Sequence, residues 1–93
     1  MEAMRELLRG SIGRSLRAMR DEDRLAAAWA IACGRAMAER GAVVGYEGGV
    51  VRIEAANAVW MGQMISLRGT LARDMARIAG LPVSGIHFEL KRS

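Results

Sequence analysis

Two consecutive glycines, Gly48 and Gly49, stand between two short segments that alternate apolar with other residues. A two-residue glycine turn flanked by such segments is a strong local signal for a β-hairpin, because both central positions of the turn favour positive φ. The spacing predicts strands over 42–47 and 50–55. It pairs Tyr46 with Val51, Val44 with Ile53 and Ala42 with Ala55. All six then lie on one face, and Arg52 and Glu54 point to the other.

The rest of the chain reads mainly as helix. Met4, Leu8, Ile12, Leu16 and Met19 recur at spacings of four, four, four and three, the pattern of one helical face. Residues 1–20 are therefore expected to form a basic amphipathic helix, weakened near Gly10 and Gly13. Asp21, Glu22 and Asp23 suit the positive end of a second helix, with Leu25, Trp29, Ala32 and Ala36 as its buried stripe and Gly41 as its stop. Asn57 is placed to cap a third helix running to about Ala79, with Trp60, Met64, Leu67, Leu71, Met75 and Ile78 on one stripe. Gly80 ends it and Pro82 prevents its resumption. A last strand over 83–90 is expected to turn Ile86, Phe88 and Leu90 inward and His87 and Glu89 outward. The fold class is thus α+β, in the order α-α-β-β-α-β. A three-stranded sheet packed on one face by helices buries these stripes together.

At 93 residues the chain fits one domain, 1–93, and 52% hydrophobic composition suffices for its core. The single cysteine, Cys33, allows no intrachain disulfide and points to a reducing cytoplasm. The longest apolar run, 25–33, is too short to span a bilayer, and the acidic triplet before it is wrong for a signal peptide.

No catalytic constellation is visible. His87 is the only histidine and has no partner near it in sequence. Cys33 lies in an alanine-rich helix, where a small apolar filler is the simpler reading. One histidine and one cysteine build no zinc site, and no phosphate-binding glycine loop occurs. Neither an enzyme nor a metal or cofactor site is expected. Two GxxG quartets, at 10–13 and 45–48, carry little weight in a chain with 11 glycines.

Binding is the remaining class. Net charge is +4, and 13 of the 14 basic residues are arginine, whose planar fork matches phosphate and carboxylate. Candidate nucleic-acid contacts are Arg14, Arg17, Arg20, Arg52, Arg73, Arg77, Lys91 and Arg92. Trp29 and Trp60 are better read as core anchors than as stacking platforms for bases. Gly62 and Gly69 sit seven residues apart on one edge of the third helix, where each lowers helix stability. Close approach of another helix of the same domain is the favoured explanation. A partner helix or a second copy of the chain is the alternative, with Arg68 at the contact.

From Trp29 to Leu90 the ordered motifs resemble those of the DciA family, the bacterial replicative-helicase loaders. The matching pieces are Trp29 to Cys33-Gly34, the hairpin Gly49-Val50-Val51-Arg52-Ile53, the run Ala55 to Trp60 with Leu67 and Leu71 beyond, and Val83 to Phe88. The resemblance implies a KH-like domain lacking the functional GxxG clamp. It also implies an adaptor in DNA replication that binds the hexameric helicase, assists its loading and has weak affinity for single-stranded DNA. A KH-like RNA-binding or ribosome-associated module, and a homodimerising interaction domain, are the other readings.

Overall fold

The structure is a computed structural model and describes residues 19–92. The helix expected over 1–20 lies outside that range but for Met19 and Arg20, which are not helical. Among the described residues the order is α1 (Asp21–Cys33), α2 (Arg35–Ala38), β1 (Gly41–Glu47), β2 (Val50–Ala55), α3 (Ala58–Ser66), α4 (Arg68–Ala79) and β3 (Gly85–Leu90). Helices and a three-stranded mixed sheet make this an α+β fold.

The acidic triplet opens α1 as expected. The helix stops at Cys33 rather than reaching Gly41. Gly34 leaves it at φ 82°, a conformation that costs a glycine little, and its N–H still donates to Ala30 O at 3.2 Å. The short α2 resumes in a new phase. Met37 is therefore buried, and Ala36, placed on the stripe by the sequence, is exposed.

Gly48 and Gly49 adopt φ 59° and 82° and turn the hairpin. Tyr46 pairs with Val51 as expected. A bulge between Val43 and Gly45 then shifts the register, so that Ile53 faces Val43 and Ala55 faces Gly41, in place of Val44 and Ala42. The cause lies across the core. A Cβ on Gly41 would stand 3.0 Å from both Met64 Cε and Trp29 Cζ2. The shifted register places Gly41, which has no side chain, under the indole, whose Nε1–H donates to Gly41 O at 3.2 Å.

Asn57 caps α3 by accepting from Trp60 N–H at 2.9 Å. The long helix expected from there to Ala79 is broken at Leu67, which takes φ −106° and ψ 9°. Ser66 Oγ donates back to Gln63 O at 2.7 Å, and Gly69 follows with poor helix propensity, so the backbone has little to hold it regular there. Leu67 is consequently 46% exposed, while Met64, Leu71 and Met75 on either side are buried. Gly80 closes α4 in the left-handed conformation, φ 66° and ψ 35°.

The order of strands is β1-β2-β3, with β3 parallel to β2 and Ile53 beside Phe88. β3 begins at Gly85, two residues later than expected, and Leu90 at its end is largely exposed rather than inward. Val51, Ile53, Ala55, Ile86 and Phe88 face Leu25, Trp29, Met64 and Met75 in a single core. Trp60 packs half-buried against it. The rings of Trp29 and Phe88 are 6.5 Å apart and tilted by 55°. Arg52 and His87 lie exposed on the opposite face of the sheet. No described helix is long and apolar enough to cross a membrane.

Candidate nucleic-acid and protein-contact surfaces

Every core residue is apolar: among the described residues no polar or charged residue is buried. No three His, Cys, Asp or Glu side chains among them converge to hold a metal ion. The polar and charged side chains of the described residues therefore all reach the surface at least in part.

Arg14 and Arg17 lie outside the described residues. The other candidate cations do not form one patch. Arg20 precedes α1 and stands 3.8 Å from Glu22. Arg52 lies on the open face of the sheet, over Gly45 and 3.4 Å from Glu89. Arg73 and Arg77 share the exposed side of α4, and Arg77 reaches Asp74 at 3.5 Å. Lys91 and Arg92 follow β3, and the Lys91 N–H donates to Ala55 O at 2.8 Å. Ion pairs this exposed are worth little, so the arginines remain available to a phosphate.

His87 is exposed, beside Arg52 in the β2–β3 register. Cys33 is half-buried, and burial pushes its thiol above the ordinary range, partly offset by hydrogen bonding with the backbone.

Gly62 and Gly69 correct the sequence expectation. A Cβ at either would meet nothing within 4 Å, so no described helix of the same domain approaches them. They open instead onto a surface that also carries Val59, 75% exposed, and Ile65 and Leu67. α3 contains no charged residue at all. Arg68 stands at the end of this surface with its guanidinium carbon 6.0 Å from the centre of the Phe88 ring, a cation–π distance.

Sequence reasoning does not single out Arg24. Its guanidinium donates to Ala79 O at the end of α4 and lies against Gly80. A cation at a helix C-terminus answers unpaired carbonyls, but the pairing of α1 with α4 is tertiary and has no local signal. Beside Arg24 runs a groove of about 330 Å³ lined by Ala27, Ala28, Ile31, Arg77 and Ile78. Ile31 is 68% exposed there.

The connection between α3 and α4 reads Ser66-Leu67-Arg68-Gly69, not GxxG. The quartet at 45–48 falls in β1 and its turn, and that at 10–13 lies outside the described residues. Neither described position offers the glycine clamp by which KH domains hold a nucleic-acid backbone.

No curated protein matches the chain. The family model described as DciA, Dna(CI) antecedent, matches residues 2–88. That match takes in the hairpin, both tryptophans and all but the last two residues of β3, and the chain belongs to the DciA family.

Proposed function

We propose that this chain is a non-enzymatic adaptor in DNA replication, which binds the hexameric replicative helicase, assists its loading and contacts single-stranded DNA weakly. The family match over residues 2–88 is the observation that carries the reading. Two surface features support it. The uncharged α3 face around Gly62, Gly69 and Arg68, with Val59, Ile65 and Leu67 exposed, suits a protein partner whose backbone comes close. Arg20, Arg52, Arg73, Arg77, Lys91 and Arg92 are exposed and suit phosphates, with Arg14 and Arg17 as further contacts in the segment before Met19. In this reading the fold is KH-like with its clamp replaced by Ser66 to Gly69, and the protein works in the cytoplasm.

The test is co-purification with the cognate helicase, comparing the parent chain with Gly62→Glu and Ile65→Asp. Both positions are solvent-facing, so the core should stand. Capture by the parent and loss by both variants is the expected result. Undiminished capture by the variants removes this surface, and no capture by the parent removes the adaptor reading. Preference for RNA over DNA in competition would favour an RNA-binding module. Concentration-dependent sedimentation would favour a homodimer.

A further inference from the structure

We propose that β3 pairs with β3 of a second copy of the chain, antiparallel about a two-fold axis through Phe88, so that two domains share one continuous sheet. The strand order β1-β2-β3 leaves the outer edges of β1 and β3 without a described partner. The two edges differ. β1 carries the bulge between Val43 and Gly45, a device that spoils an edge for further pairing. β3 keeps an unbroken register with β2 from Gly85 to Leu90, and it contains no proline. Its outward hydrogen-bonding groups can be assigned. The Lys91 N–H donates to Ala55 O on β2, and backbone groups alternate sides along a strand. The N–H and C=O of Ile86, Phe88 and Leu90 therefore point away from β2, where no described strand meets them.

The occupant follows from self-complementarity. A two-fold contact pairs one residue with another and the second with the first, and outward groups must face outward groups. With Phe88 on the axis, Phe88 meets Phe88, Ile86 meets Leu90, and His87 meets Glu89. The first two pairs set apolar beside apolar on the helix side of the sheet. Leu90, 47% exposed in the single copy, is then covered by Ile86 of the second. The third pair lies on the open face and sets an imidazole beside a carboxylate, once on each side of the axis. Moving the axis to His87 would set His87 against His87 and Glu89 against Gly85, and both His87–Glu89 contacts would be lost. The pairing uses neither Gly62 nor Ile65, so it does not rest on the helicase reading.

The experiment is sedimentation of the full chain over a concentration series. The parent should pass from monomer to dimer as concentration rises. Leu90→Pro removes an N–H that points outward and that β2 does not use. It should weaken the dimer at least about tenfold, since each copy loses one hydrogen bond across the axis. His87→Glu should also weaken it, by setting carboxylates opposite each other. His87→Glu combined with Glu89→Lys should recover association, because the pair is restored with its signs exchanged. Both positions lie outside the core, and the Arg52–Glu89 pair that the second change removes is exposed and worth little, so this arm holds whether or not Leu90→Pro folds. A parent that stays monomeric at its highest soluble concentration would overturn the proposal. So would failure of the double variant to recover association. A dimer that Gly62→Glu abolishes and a folded Leu90→Pro leaves intact would belong to α3 and overturn it equally.

Discussion

Arg24 and Ala79, fifty-five residues apart, are joined by a single hydrogen bond from guanidinium to backbone carbonyl, and it ties the start of α1 to the end of α4. A charge-assisted bond to a helix C-terminus contributes about 1–3 kcal/mol. Arg24→Met keeps much of the aliphatic stem and removes the donor. It should lower the urea midpoint by a corresponding amount, with the slope unchanged. Arg24→Lys should restore part of the loss.

Gly41 and Gly62 should respond in opposite directions to the same change. Gly41→Ala drives a methyl to 3.0 Å from the Trp29 ring and Met64 Cε, and overpacking of this kind costs about 1–3 kcal/mol. Gly62→Ala meets open space on a helix, so it should stabilise by up to about 1 kcal/mol. Thermal unfolding of the two variants tests the pair. If Gly62 is retained for a partner, the more stable variant should bind the helicase less well.

Met75 is fully buried in the same core as Met64 and Ile53. Met75→Ala should cost about 2–5 kcal/mol, a loss large enough to read directly in a denaturant titration.

Arg73 and Arg77 should act through phosphate and not through base identity. Arg73→Ala with Arg77→Ala should weaken single-stranded DNA binding equally across sequences. The slope of log affinity against log salt should fall by about 0.7 for each phosphate that is no longer neutralised. Unchanged slope and affinity would take α4 out of the DNA surface.

Cys33 should be less reactive in the folded chain. Its thiol titrates above the ordinary value, with burial as the main cause. The midpoint of alkylation against pH should therefore lie higher in buffer than in urea. Because the folded form holds the proton more tightly, this group's contribution to stability is present below the unfolded pKa. It is lost as pH rises through the folded one.

What the sequence made legible was local. The hairpin turn rests on two adjacent glycines, the α3 cap on Asn57, and the end of α4 on Gly80. Each works through its own backbone and needs no distant partner. The bulge at Val44 escaped because Trp29 and Met64 impose it from across the core. The break at Leu67 interrupts a stripe whose spacing is unbroken, so periodicity alone runs straight through it. Gly34 was a local sign, masked because the alanine-rich run on either side favours helix so strongly. The candidate surfaces divide in the same way. Helical periodicity placed Arg73 and Arg77 outside correctly. The openness above Gly62 and Gly69, and the part played by Arg24, depend on which elements meet, and spacing along one helix does not contain that.

The parallel pairing of β3 with β2 has a consequence for the order of assembly. A growing chain can close the ribbon once Ala55 has emerged, because its turn is two residues long. Ile53 cannot gain Phe88 as a neighbour until both α3 and α4 have been made and have crossed back over the sheet. The folding barrier should therefore be dominated by that late, long-range closure. Substitutions at Ile86 and Phe88 should reveal when it happens, by slowing refolding or by hastening unfolding.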